Sequence, residues 1–253
     1  MLSVLRAARW YLLFGFFAFL VFLAVNTPLH FAWGHAKPHL GKLPVEVKQL
    51  SGTLWEADFQ IKDKQLGLLD GHWELQPASL LSAAPTLDVV IEGNAIRFEG
   101  VVTVEPNQQL RIRHGSAFID SVLAAPMLKQ ARAALSGDIQ VSNLNLVVNP
   151  QSKKVLGASG DLVFSGGDAS FRVQGKMIDT ELPMMVGKLS MDGPKTVLAV
   201  TTAEQEGLAD ITLNPDGWAG VAVKRRFLDV IGQPWKTKSS ADTVVFEVSQ
   251  KFL

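Results

Sequence analysis

The chain has 253 residues, and its 24 Lys and Arg side chains balance 24 Asp and Glu side chains, so the formal net charge is zero. This balance gives no overall attraction to nucleic acid, and we expect no nucleic-acid partner. Cysteine is absent, which excludes disulfides, thiolate zinc sites and cysteine nucleophiles.

The N-terminus has the features of a membrane anchor. Residues 1–9 contain Arg6 and Arg9 but no acid, and residues 10–29 are almost entirely apolar. Because a helix of roughly 20 apolar residues can cross a bilayer, we predict a transmembrane helix over residues 10–29. The residues expected to contact lipid are Trp10, Tyr11, Leu12, Phe16, Phe19, Phe22 and Val25. The positive-inside rule places residues 1–9 in the cytoplasm.

A cleaved signal peptide is the alternative interpretation of this segment. Signal peptides have an apolar region of about 7–15 residues followed by a small-x-small cleavage site. The apolar run here reaches that upper limit, and the residues after it offer no convincing cleavage site. We therefore favour an uncleaved, single-pass anchor. A cysteine-free exported domain fits a bacterial periplasm, so we expect an inner-membrane protein with a periplasmic C-terminal domain.

Residues 30–44 are expected to form a juxtamembrane linker. They contain proline, glycine and three histidines, His30, His35 and His39. Imidazoles are common metal ligands, but Pro38 interrupts any helix that would align His35 with His39. A solvated linker is favoured over a metal site, and no cofactor is predicted.

Beyond the linker, apolar residues mostly recur every second position, as in β-strands with one buried face. Examples lie in residues 87–91, 110–112 and 244–248, and turn sequences such as Asp192-Gly193-Pro194 separate them. We predict that residues 45–253 form one mainly β domain, an elongated and twisted antiparallel sheet. A two-sheet sandwich or a closed barrel is the alternative.

Three details refine this pattern. Ile139 and Val141 alternate in one phase, whereas Leu144, Leu146 and Val148 follow a shifted one. Residues 126–135 are alanine-rich and precede a Ser-Gly pair, which predicts a short helix. Further helical turns are expected at Leu80 and Leu81 and at residues 227–231.

No motif indicates catalysis. A serine hydrolase needs a nucleophile elbow such as Gly-x-Ser-x-Gly, and the nearest sequence, His114-Gly115-Ser116, is not one. Residues 157–167 are rich in glycine but lack the lysine and the helix that characterise a phosphate loop. We expect no enzyme activity and no small-molecule substrate. Trp55, Trp73 and Trp218 flank glycine turns and are expected to anchor a core.

Several short motifs occur in a characteristic order. A Gly-Thr-Leu-Trp sequence is followed by Trp-x-Leu-x-Pro and a double leucine, and a Gly-Trp pair and a basic segment lie near the C-terminus. The residues concerned are Gly52, Thr53, Leu54, Trp55, Trp73, Leu75, Pro77, Leu80, Leu81, Trp218 and Arg226. Together with the anchor and the chain length, these motifs resemble the protein N family of the bacterial type II secretion system.

The resemblance implies a non-catalytic, inner-membrane accessory component of the machine that exports folded exoproteins across the outer membrane. Its expected partners are the membrane and other secretion-system proteins. The family contributes no catalytic residues to carry over. Because Gly-Thr-x-Trp also occurs in AsmA-like membrane-anchored proteins, transfer of lipid or lipoprotein in envelope biogenesis is the alternative function.

Overall fold

A computed structural model describes residues 11, 14–19, 21–23, 25–36, 46–63, 66–130, 132–173, 176–233, 235 and 239–251. The first elements are α1 (Leu29–Ala36), β1 (Glu46–Gly52), β2 (Glu56–Asp63), β3 (Gly67–Leu75), a 3₁₀ turn (Pro77–Ser82), β4 (Thr86–Gly93), β5 (Ile96–Val104) and β6 (Leu110–Asp120). Then come a second 3₁₀ turn (Ser121–Ala124), α2 (Ala125–Gln130), β7 (Ala134–Leu135), β8 (Asp138–Asn149), β9 (Lys154–Phe164), β10 (Gly167–Val173) and β11 (Lys176–Leu182). The last are β12 (Met185–Asp192), β13 (Lys195–Thr201), β14 (Gly207–Leu213), β15 (Trp218–Lys224), α3 (Arg225–Val230) and β16 (Val244–Lys251).

The described residues form one large antiparallel sheet of 13 strands, in the order β1-β2-β3-β4-β5-β6-β8-β9-β12-β13-β14-β15-β16. Its two edges are β1 and β16, so the strand order does not close on itself. A second sheet has three strands, in the order β11-β10-β7. The prediction of a mainly β protein built on one antiparallel sheet is confirmed.

Alternation along each strand divides the large sheet into two faces, because directly opposed residues in antiparallel strands lie on the same side. In β2 to β6 the register places one set of apolar residues together. We call this side the apolar face: Phe59, Ile61, Leu69, Trp73, Val89, Ile91, Phe98, Val102, Ile112 and Ile119. The opposite, polar face carries Asp58, Gln60, Asp70, His72, Glu92 and Arg97.

The shifted phase in residues 139–148 has a structural cause. The pairing of β8 with β9 changes register between Ser142 and Asn145, and Asn143 between them has a φ of 53°. A bulge of this kind adds a residue to one strand and so reverses the alternation. Val141 and Leu144 therefore lie on the same face although three positions separate them.

Among the described elements, a second layer packs against the large sheet around β9. The buried side chains Phe164, Ala169, Leu182, Leu228 and Ile231 pack together in one cluster. They come from β9, from the three-stranded sheet, and from α3 and the residue after it. The hydrophobic core of the described residues is thus concentrated between the small sheet, α3 and the middle of the large sheet.

The helix predicted at residues 126–135 is shorter than expected. α2 ends at Gln130, and Ala134 and Leu135 instead form β7, which pairs with Ser170 and Ala169 of β10. Backbone pairing with a strand more than 30 residues away overrides the local helix propensity of alanine. The turns expected near Leu80 and residues 227–231 are present as the first 3₁₀ turn and α3.

In the N-terminal region, residues 11, 14–19, 21–23, 25 and 26 are helical, and α1 occupies part of the segment expected to be a linker. Tyr11, Phe16, Phe19, Phe22 and Val25 are all exposed. The predicted residues Arg6, Arg9, Trp10 and Leu12, and residues 37–44 of the linker, lie outside the described residues. None of the helices formed by the described residues has both the length and the hydrophobicity to span a bilayer.

Candidate functional site

The two ends of the large sheet differ in construction. At one end lie the connections at residues 53–55, 76–85 and 105–109, together with Pro28; we call it the proximal end. At the opposite, distal end lie Asp63 and Leu66 and the insertions that contain α2, the small sheet and α3. The first family motifs lie at the proximal end.

The Gly-Thr-Leu-Trp motif forms the connection between β1 and β2. Gly52 has a φ of 98°, and a Cβ atom there would lie 2.4 Å from the carbonyl oxygen of Glu56. Thr53 donates its backbone N–H to that oxygen over 2.8 Å, and its Oγ1 accepts the N–H of Trp55 over 3.2 Å. A side chain at residue 52 would therefore disrupt the turn, which explains why glycine stands there.

The second motif joins the first through backbone and ring contacts. The N–H of Leu75 donates to the carbonyl oxygen of Trp55 over 2.6 Å, which links the end of β3 to the turn. The ring of Trp73 packs beside that of Phe59, with centroids 5.4 Å apart. Trp73 and Trp55 are both half-buried at the start of the sheet.

The Pro77–Ser82 turn is held firmly against β4. Ser79 Oγ donates to the Gln76 carbonyl over 2.5 Å and accepts the N–H of Thr86 over 2.9 Å. Ala83, with a φ of 52°, ends the turn. This bracing directs Leu80 and Leu81 away from the sheet, and Leu81 is 93% exposed. Sequence analysis identified both leucines but not their exposure; their position after Pro77, in a turn between strands, was the available signal.

The N-terminal region meets the sheet at this same end. Pro28 forms an isolated antiparallel bridge with Thr53. Leu29, the first residue of α1, is only 5% exposed, and α1 lies against β1. The motif turn is therefore also the contact between the predicted anchor and the domain.

The remaining motif residues lie far from the motif turn. Trp218 begins β15, far along the strand order from β1, and is 43% exposed; the expectation that it anchors a core is wrong. Its turn places the ring at the sheet surface rather than under the second layer. Arg226 lies at the distal end, where it donates to the Gly207 carbonyl over 3.2 Å and pairs with Asp242 and Glu206. These contacts tie α3 to neighbouring loops.

The apolar face of β2 to β6 is a second candidate surface. Among the described elements, those in substantial contact with β2 to β5 are their neighbours in the sheet. Large side chains lie flat on this face: a Cβ atom at Gly71 would come within 2.0 Å of the Phe59 ring. Its side chains are half-buried, apart from Leu69, which is buried.

The polar face carries an open cavity of about 430 Å³ whose lining includes Asp58, Gln60, Asp70 and His72. His72 Nδ1 and Asp58 Oδ1 are 2.9 Å apart there, and Gln60 donates to Asp70 over 2.7 Å. These pairs hydrogen-bond across neighbouring strands of the sheet. Within the described ranges, no three His, Asp or Glu side chains are grouped to hold a metal ion; His39 lies outside them.

Comparison with protein families gives a match over residues 44–230 to type II secretion system protein N. The chain belongs to this family. The match begins just before β1 and ends with α3, so it includes the motif turn, the apolar face and most of the second layer. No curated protein and no solved structure gives a significant match to the chain.

Membership makes the protein a component of the type II secretion system, as the motif resemblance implied. Of the motif residues, Arg226 is the one that lies at the distal end; Trp218 lies at the proximal end but on β15, far along the strand order from β1. The proximal end and the open apolar face are therefore the surfaces to which a role in secretion has to be assigned.

Proposed function

We propose that the protein is a non-catalytic accessory subunit of the type II secretion system, held in the inner membrane by residues 10–29. Residues 1–9 face the cytoplasm and residues 45–253 the periplasm. The family match over residues 44–230 carries this proposal. The exposed aromatic side chains of the N-terminal helical residues support the anchor, since lipid is the solvent that such a surface suits.

The far end of the predicted anchor is compatible with burial in lipid. Asn26 Nδ2 donates to the Phe22 carbonyl over 2.8 Å, and Thr27 Oγ1 donates to the Leu23 carbonyl over 2.6 Å. Polar side chains that bond within their own helix avoid the cost of unsatisfied groups in hydrocarbon.

The direct test is secretion by cells that lack the gene. Loss of exoproteins from the medium, restored by the full chain, is the expected result. A chain without residues 1–40, delivered to the periplasm by a cleavable signal, should not restore secretion. Unchanged secretion in the deletion strain, with no secretion-system protein co-purifying with the full chain, would refute the proposal.

We expect partner proteins to bind at the β16 edge of the sheet. Unpaired backbone groups of an edge strand accept a further strand, and charges or lysines on an edge discourage it. β1 carries Glu46 paired with Lys48, and β16, although it carries Glu247 and Lys251, also exposes Val244 and Val248. Val248→Lys should reduce co-purification of secretion components. Val221→Lys, on the adjacent inner strand and the same face, is the matched control and should have little effect.

Transfer of lipid or lipoprotein is a second candidate, favoured by the uncovered apolar face of β2 to β6. Val89 lies on this face and its neighbour Val90 on the polar face, and both are half-buried. A photo-crosslinking residue at position 89 of the full chain in cells should capture lipid, and one at position 90 should not. Equal capture at both positions, or none at position 89, would exclude this function.

A further inference from the structure

Three leucines at the proximal end are left in solvent by the fold. Leu81 is 93% exposed, Leu80 44% and Leu54 42%. Leu54 belongs to the β1–β2 turn, and the other two belong to the Pro77–Ser82 turn that follows β3. The hydrogen bond from Leu75 to Trp55 holds these connections side by side. The three leucines thus belong to two connected turns at one end of the sheet, and we call them the leucine tip.

The leucine tip is presented by a fixed backbone. Ser79 ties its turn to β4, and the N–H of Ala83 closes the turn on the Leu80 carbonyl over 3.1 Å. Thr53 fixes the neighbouring turn that contains Leu54. Hydrophobic side chains held outward by such turns gain from burial in an apolar partner, and no ordering of the backbone is needed first.

The position of the leucine tip indicates what that partner is. Pro28, the last residue but one of the predicted anchor, pairs directly with Thr53, next to Leu54. Trp33 lies on α1 beside β1, and tryptophan favours the boundary between lipid and water. If residues 10–29 enter the bilayer, the leucine tip lies beside the point of entry.

The charges near the leucine tip favour apolar insertion over electrostatic attraction. Between residues 49 and 96 the Lys and Arg residues are Lys62, near the distal end of β2, and Lys64, which lies outside the described residues. Lys48, on β1, is paired with Glu46. A surface that binds anionic headgroups carries clusters of Lys or Arg. The leucine tip has none, so its membrane contact should not depend on anionic lipid.

We propose that Leu54, Leu80 and Leu81 insert into the boundary layer of the same membrane that holds the anchor. The insertion is a second contact that fixes the orientation of the sheet on the bilayer. This proposal rests on the membrane anchorage proposed above. It assigns a lipid surface, rather than a protein, to the leucine tip.

The absence of cysteine from the chain allows a direct test, since single cysteines can be labelled without background. The full chain carrying Leu81→Cys is labelled with a polarity-sensitive fluorophore and reconstituted into phosphatidylcholine vesicles that contain a lipid-bound quencher. Leu68→Cys is the matched control, because Leu68 is 48% exposed but lies at the distal end of β3. Phe19→Cys reports on the anchor. None of the three is a buried side chain, so each variant should fold.

Fluorescence at position 81 should fall by about half, since a side chain seated about 5–10 Å into the boundary lies beside the quencher. Fluorescence at position 19 should also fall, because that position lies inside the predicted span. Position 68 should be unaffected, and phosphatidylglycerol or high salt should change nothing. Quenching at position 19 but not at position 81 would overturn the proposed insertion of the leucine tip and leave the proposed anchor intact. No quenching at 19 would refute the anchor itself. Protection of position 81 in native membranes without lipid quenching would assign the leucine tip to a protein partner and overturn the proposal.

Discussion

The N-terminal and C-terminal parts of the large sheet have the same strand pattern but different surroundings. In β2 to β6 the apolar face has no substantial second layer among the described elements, and its side chains other than the buried Leu69 are half-buried. From β8 onward, the small sheet and α3 enclose a cluster that contains Phe164 and Leu228. Alternation therefore specifies which side of a strand is apolar but not what covers it. We infer that stability resides mainly in the C-terminal part and that the N-terminal part offers surface.

The largest expected difference in the free energy of unfolding is between alanine variants of two phenylalanines on the same face of the sheet. Phe164→Ala removes a side chain from the enclosed cluster and should lower the free energy of unfolding by about 3–5 kcal/mol. Phe98→Ala removes a half-buried ring and should lower it by about 1–2 kcal/mol. Urea denaturation of the full chain in detergent measures both. Equal losses would show that the N-terminal face is covered after all.

A second comparison lies within the N-terminal part. Gly52→Ala forces a side chain onto a φ of 98° and against the Glu56 carbonyl, and should cost about 2–4 kcal/mol. Gly67 also has a positive φ, of 78°, but open space around it, so Gly67→Ala should cost only about 1 kcal/mol. The same denaturation measurement applies. A Gly52 variant as stable as the Gly67 variant would argue that the motif turn is not rigid.

Thr86 and Thr103 form a buried hydrogen-bonded pair on the polar face, with their hydroxyl oxygens 3.0 Å apart. Thr86→Val leaves the Thr103 hydroxyl without this partner and should cost about 1–2 kcal/mol. The double variant with Thr103→Val removes both hydroxyls and should recover part of that loss. A double-variant cycle in thermal or urea unfolding tests this, and strict additivity would contradict it.

The smallest expected effect on stability comes from an ion pair on the edge strand β1. A hydrogen bond from Lys48, followed by the charge of Lys48, lowers the pKa of the fully exposed Glu46 below its ordinary value of 4.5. Because the pKa of Glu46 is lowered in the folded state, the stability that the pair contributes is present above the unfolded-state pKa. It is lost as the pH falls through the folded-state pKa. NMR titration of Glu46 should give a lower midpoint than in Lys48→Met. Because the pair is in solvent, the unfolding midpoint at pH 7 should not change measurably.

Much of the fold follows from local pattern. The alternation in β4, β6 and β8 predicts strands, and the phase change after Val141 anticipates the bulge at Asn143. The motif turn at Gly52 could be placed because Gly-Thr before an alternating strand indicates a tight connection.

The features that could not be predicted from the sequence depend on contacts between residues far apart in the chain. Leu135 joins a strand because it pairs with Ala169, and the local sequence around neither residue indicates this pairing. Trp218 was assigned to a core that does not extend to its turn. The leucine tip was named only as a motif, because exposure of Leu81 depends on how Ser79 holds the turn against β4.

The strand order also has a consequence for how the chain folds. In the large sheet, each strand pairs with a neighbour that is next, or nearly next, along the chain; only β7, β10 and β11 are passed over. Contacts of this kind have short sequence separation, and low contact order favours fast folding. The sheet can grow one hairpin at a time from β1, while β7 alone has to wait for β10. We therefore expect β1 to β6 to fold before the enclosed cluster exists, with each new strand forming on the edge left by the last.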